Sequence, residues 1–178
     1  MSHTPSLPEI RLATPQDAEA LANIGARTFS DTFAADNTPE DLALFLDATY
    51  GEAQQRAELA DPRLTYLVAE RDGVVAGFAL LRRGKEAPGV TDPTAVELQR
   101  LYVERAWHGS GLGKALMAAC QQAARDEGAA VLWLGVWERN AKALRFYAAQ
   151  GFEAVGSQTF TLGTDPQVDI VMQRRLTD

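Results

Sequence analysis

The stretch "WHGSGLGKAL", residues 107–116, places Gly109, Gly111 and Gly113 within five positions and then runs into helix-forming residues. Glycine serves where backbone must approach a ligand closely or where φ is positive. A helix that starts directly after such a turn offers unpaired N–H groups and the positive end of its dipole. The pair of features predicts an anion site, most often one for phosphate.

Reading outward from this turn gives the rest of the architecture. Upstream, "AVELQRLYV" reads as a strand. Downstream, a helix is expected from Gly111 to Glu127, with Leu112, Leu116, Cys120 and Ala123 at helical spacing on its apolar face. "AVLWLGVW" is a nearly all-apolar strand, as expected of one covered on both faces. "NAKALRFYAAQ" is a helix stopped by Gly151, and "FEAVGSQTFTLG" with "QVDIVMQRRL" makes a closing pair of strands. Toward the N-terminus, "TYLVAE-RDG-VVAGFALLR" is a hairpin about Asp72-Gly73. Glu9 to Ala13 reads as a short first strand, and Thr14-Pro15 as the start of a helix running to about Arg27. "NTPEDLALFLDATYG" repeats the device, with Thr38 as cap, Pro39 as opener and Gly51 as stop, and a short helix follows over Glu52 to Ala60. Residues 1–8 read as a loose tail and 9–178 as one domain. Strands and helices in this order predict an α/β fold with a mixed sheet.

Composition narrows the functional classes. With 46% hydrophobic and 23% charged residues, the 178-residue chain has the make-up of an ordinary globular domain with a full core. A net charge of −7 argues against a nucleic-acid binder. No apolar run approaches a membrane span, and the N-terminal residues lack the pattern of a signal peptide, which predicts a cytoplasmic protein. One cysteine excludes an internal disulfide, and two distant histidines give no metal-ligand spacing. No metal is expected.

The glycine turn fits neither common nucleotide template. A P-loop would need Gly where His108 stands and Ser or Thr where Ala115 stands. The dinucleotide fingerprint would need its third glycine where Lys114 stands. Instead, "ELQRLYVERAWHGSGLGKALMAACQQAARDEG" followed by "LWLGVWERNAKALRFYAAQGFEAVG" resembles the GNAT N-acetyltransferase superfamily, whose hallmark is [QR]-x-x-G-x-[GA] between a strand and a helix. Here that hallmark reads His108-Gly109-Ser110-Gly111-Leu112-Gly113, with His in place of the usual Gln or Arg. A second match, N-x-x-A-x-x-F-Y-x-x-x-G-F, spans Asn140 to Phe152. "TFSDTFAADNTPEDL" and "FTLGTDPQVDIVMQRRL" are further similar to the PaiA-like spermidine/spermine acetyltransferase branch.

The resemblance implies a mixed, mostly antiparallel sheet of about seven strands flanked by four to five helices. It also implies acetyl-CoA as cosubstrate and an amine as acceptor. The coenzyme's pyrophosphate would lie over the backbone of His108, Gly109, Ser110, Gly111, Leu112, Gly113 and Lys114. Arg105, Arg139, Lys142 and Arg145 add local positive charge in the flanking segments. The pantetheine arm would pair with main chain of Leu101, Tyr102 and Val103 between two splayed parallel strands. Asn140 would reach the arm or the pyrophosphate, or serve as a helix N-cap, or both.

A primary amine is neutral in only about one part in 10³ at pH 7, a cost of roughly 4 to 5 kcal/mol, so transfer calls for a base. Glu97 matches the family's glutamate, with an outward-facing strand residue as the alternative. Tyr147 matches the tyrosine that gives a proton to the coenzyme sulfur, with a core aromatic as the alternative. Cys120 lies on an apolar helix stripe and reads as a packed thiol, so transfer in a ternary complex is expected. For the acceptor, Phe29, Asp31, Phe33 and Glu40, together with Asp36 and Asp41, suit a cationic amine. Glu40 and Asp41 equally suit a helix N-terminus. A small-molecule amine, with a polyamine as the candidate class, is thus the first expectation. A peptide acceptor and a non-catalytic acyl-CoA-binding module are the alternatives, and a homodimer stays open.

Overall fold

A computed structural model describes residues 6–176. It holds strands β1 (Glu9–Leu12), β2 (Leu64–Arg71), β3 (Val74–Arg82), β4 (Val96–Val103), β5 (Val131–Trp137), β6 (Glu153–Leu162) and β7 (Asp165–Arg175). The helices are α1 (Ala18–Phe33), α2 (Pro39–Thr49), α3 (Glu52–Ala60), α4 (Leu112–Asp126) and α5 (Ala141–Ala149). The strands form one seven-stranded sheet in the order β1-β2-β3-β4-β5-β7-β6. Only β4 and β5 run parallel. This is the mixed sheet that the element order predicts, and the mostly antiparallel pairing with flanking helices that the resemblance implies.

Strand alternation divides the core between the two faces of the sheet. From β3, Phe78 and Leu80 join Leu21, Ile24 and Phe29 of α1, while Ala79 and Leu81 join Met117 and Cys120 of α4. Burying each such large side chain stabilises the fold by about 1.5–3 kcal/mol. In β5, Leu132, Leu134 and Val136 face α4 and α5, which leaves Trp133, Gly135 and Trp137 on the opposite face. The middle of that second row, Gly135, carries no side chain.

Several local expectations need correction. Pro15 opens a 3₁₀ turn, and the α-helix begins only at Ala18, after Asp17. Asp17 accepts from the Thr14 N–H at 2.7 Å and pairs with Arg11, so the carboxylate rather than the Thr14 hydroxyl organises this start. The helix passes Arg27 and ends at Phe33; Phe29 and Phe33, one turn apart, tilt against each other with ring centroids 4.5 Å apart. Gly51 does not stop α2; it is the N-cap of α3, with an ordinary negative φ. Most of the expected tail, residues 1–5, lies outside the described residues, as do the last two. Ser6 to Pro8 are laid down rather than loose: Pro8 is buried and Arg71 donates to the Ser6 carbonyl. The Asp72-Gly73 hairpin turn, with φ of 52° and 77°, and the Thr38 cap on Asp41 N–H are as expected.

Candidate active site

The parallel pair β4/β5 meets only at Val96 with Leu132 and at Glu97 with Trp133; beyond these residues the two strands part. The cause lies in β4. Leu98 pairs with Leu81 and Arg100 with Leu80, so Gln99 is an extra residue, a bulge that bends the strand where it leaves its neighbour. A cavity of about 770 Å³ opens along the gap, walled by α1, β4, the start of α4, β5, α5, β6 and β7.

One end of the cavity is made of backbone. Gly109 and Gly111 have φ of 76° and 90°, the left-handed region that side chains disfavour. Gly111 is the N-cap of α4. The N–H groups of Gly109, Gly111, Gly113 and Lys114 have no acceptor among the described residues. They stand at the positive end of a 15-residue helix, a ready-made anion cradle. Gly109, Gly111, Gly113, Lys114 and His108 line the cavity; Ser110 and Leu112 do not. Leu112 is fully buried in the core, and its N–H is taken by Ser110 Oγ at 3.2 Å. Those two residues hold the turn in shape rather than face a ligand. Lys142 and Arg105 also reach the cavity wall, whereas Arg139 and Arg145 do not.

His108, the departure from the family pattern, donates from Nε2 to the Val103 carbonyl at 2.9 Å and so folds the turn back onto β4. The Glu104 N–H is taken by Ala76 of β3. By alternation Tyr102 also turns its main chain toward β3, and Leu101 and Val103 turn theirs toward the gap. The three-residue backbone contact expected for a ligand therefore reduces to Leu101 and the N–H of Val103. Tyr102 offers its ring, packed between Phe29 and Phe78.

At the closed end of the gap stands Glu97, buried and not outward-facing, with Arg82 Nε donating to its Oε2 at 2.6 Å. Tyr147 lines the cavity from α5, half-buried, its ring edge-on to Phe146 and Phe152. Desolvation pushes its phenol well above the ordinary value, so it keeps its proton at neutral pH. It packs against its neighbours and also faces the cavity, so a core position does not remove it from the wall. Asn140 does the same: its Oδ1 caps the Ala143 N–H at 3.2 Å, and the residue lies on the wall. Burial raises the Cys120 thiol to about 12, which suits a core residue and not a nucleophile.

The far wall is aromatic. Phe29, Phe33, Phe45, Tyr50, Trp137 and Phe160 all line it, and Phe33 meets Trp137 edge-on at 5.8 Å. Asp31 is on the wall, paired with Arg105 at 3.3 Å. Glu40, Asp36 and Asp41 are not on the wall. Glu40 sits exposed in the first turn of α2, and Asp41 accepts from Thr164 N–H and Oγ1 at 2.8 and 2.6 Å, tying α2 to the β6–β7 turn. The structure adds Arg82, Gln99, Gly135, Gln158 and Asp169, none of which sequence reasoning singled out. A glycine inside the apolar run of β5 was the available signal for close approach at Gly135.

Residues 26–152 match the family model described as Acetyltransferase (GNAT) family. An uncharacterized N-acetyltransferase of Mycobacterium tuberculosis is 41% identical over 160 residues, covering 90% of this chain and 98% of its own. In fold, the chain is similar to the PaiA N-acetyltransferase from Thermoplasma acidophilum in complex with coenzyme A, with a TM-score of 0.79, 21% identity, and 96% and 99% of the two chains covered. It is also similar to a putative acetyltransferase from Salmonella typhimurium with its cofactor acetyl-CoA, with a TM-score of 0.68, 24% identity, and 98% and 96% covered. A parted parallel strand pair leading to an N–H cradle, together with these matches, shows that the chain belongs to the acetyltransferase (GNAT) family and is an acetyl-CoA-dependent N-acetyltransferase.

Proposed function

We propose that this N-acetyltransferase acts on a primary amine of a small molecule, with polyamines such as spermidine as the acceptor class, by direct attack while both substrates are bound. One observation carries the reading: a single cavity joins the N–H cradle at Gly109 to Lys114 with an aromatic, carboxylate-bearing chamber. Bound acetyl-CoA supplies an activated acetyl group on a thiol leaving group. The cradle binds its pyrophosphate, Lys114 and Lys142 add charge, and Leu101 with the Val103 N–H orients its arm. Glu97 uses one oxygen on Arg82; its other oxygen has no partner among the described residues and takes the amine proton, directly or through water. Tyr147 holds a proton for the departing sulfur. Phe29, Phe33 and Asp31 wall the acceptor chamber, which suits a flexible cation. The resemblance of "TFSDTFAADNTPEDL" and "FTLGTDPQVDIVMQRRL" to the PaiA-like spermidine/spermine branch supports a polyamine acceptor, and a lone buried cysteine fits a cytoplasmic setting.

The test is thiol release from acetyl-CoA with spermidine, spermine, aminoglycosides and short peptides. Release dependent on polyamine is expected. Turnover confined to peptides or aminoglycosides would replace the acceptor class, and acetyl-CoA binding without any transfer would reject the catalytic reading.

A further inference from the structure

Three carboxylates line the cavity, and two are spoken for: Glu97 by Arg82 and Asp31 by Arg105. The third, Asp169 of β7, accepts no side-chain or backbone hydrogen bond at its carboxylate among the described residues. Its register places it opposite Trp137 of β5 and Gln158 of β6, so the three side chains form a row across three strands on one face. All three line the cavity. Phe160, two residues beyond Gln158, shares that face and wall.

Gly135 leaves room for this carboxylate and the Gln158 amide to lie over β5. A Cβ there would lie 2.8 Å from Gln158 Nε2 and 3.2 Å from Asp169 Oδ2. A strand-interior glycine costs stability, and here its return is the close approach of an acid and an amide to the β5 backbone. Gly135 follows Trp133 by two residues, and Trp133 pairs with Glu97 where the strands meet. Asp169 is in register with Trp137, and its carboxylate reaches back beside Gly135, about 7 Å along β5 from the closed end of the gap.

The charged groups elsewhere on the wall are the Arg82–Glu97 and Arg105–Asp31 pairs, Arg100 on Glu58, and the lysines at 85, 114 and 142. The side chains beside Asp169 itself are uncharged. Its carboxyl is lifted to about 6 by desolvation alone. At neutral pH it is an ionised, half-dry acid flanked by rings and an amide, a setting that a cation relieves.

We infer that Asp169, with Gln158 and Trp137, forms a subsite for a second, non-reacting ammonium group of the acceptor, which selects diamines and polyamines over monoamines. The inference rests on the amine-acetylation reading and deepens it. In the test, kcat and KM for 1,3-diaminopropane and for propylamine are measured with the wild type, Asp169→Asn and Asp169→Glu. Diaminopropane binding to the wild type and Asp169→Asn is followed by calorimetry without cosubstrate. Asp169→Asn should raise the diamine KM about 10- to 100-fold with kcat, propylamine KM and acetyl-CoA affinity unchanged, and Asp169→Glu should recover part of the loss. Equal losses for both amines, or none, would overturn the subsite. If the wild type acetylates no amine, calorimetry decides alone: diamine binding lost in Asp169→Asn supports the subsite, and no binding to the wild type overturns it.

Discussion

The two ends of the cavity are built by different means. The cradle is one local segment, with its ligand groups on the main chain and its shape set by two positive-φ glycines and the Ser110 and His108 fasteners. The acceptor chamber collects side chains from α1, α2, β5, β6 and β7, so no single segment defines it. Main-chain donors read only charge and shape and can stay constant. A chamber of separate side chains can be retuned one residue at a time without touching the donor site.

That contrast can be tested by substitutions that hit one end and spare the other. The largest effect is expected between the two ends: Tyr147→Phe removes a proton donor and should lower kcat about 100-fold, with acetyl-CoA affinity nearly intact by equilibrium binding. Gly111→Val puts a branched side chain at φ 90°, a strain of about 1–3 kcal/mol, and should weaken acetyl-CoA binding about 10- to 100-fold while leaving the diamine calorimetry unchanged. A loss of diamine binding in this variant would mean that the ends are not independent. A pH series sharpens the other side. Below about pH 6 Asp169 becomes protonated and neutral, so diamine KM should rise as pH falls, by up to about tenfold per unit, and acetyl-CoA affinity should not follow that limb. In Asp169→Asn the limb should vanish, which separates Asp169 from His108, Glu97 and Asp31 on the same wall. The smallest effect is expected from Asp41→Ala. It unties α2 from the β6–β7 turn at Thr164 and should raise diamine KM a few-fold without changing acetyl-CoA affinity.

The same contrast explains what the sequence discloses. The cradle was legible because its information is local: glycine spacing and a helix start can both be read from one stretch. The element order and the hairpin at Asp72-Gly73 were legible for the same reason. Asp169 was not, because a lone acid in "QVDIVM" acquires meaning only when β7 inserts between β5 and β6 and sets it opposite Trp137 and Gln158. Glu40 erred in the opposite sense. Its place among the acids and rings of residues 29–41 suggested a substrate contact, but it sits exposed in the first turn of α2 and is not on the cavity wall. Ser110 and Leu112 show that a motif contains its own fasteners as well as its ligand groups.

The Cys120 side chain has a further use. It is the only thiol in the chain and is fully covered between α4 and the sheet, with its ionisation suppressed. A thiol-reactive chromophore should therefore count released coenzyme without a contribution from the folded enzyme. Heated or denatured protein should add one further equivalent as the α4 layer lifts. The enzyme thus carries its own integrity gauge: in one cuvette the same reagent distinguishes a variant that is slow from a variant that has come apart.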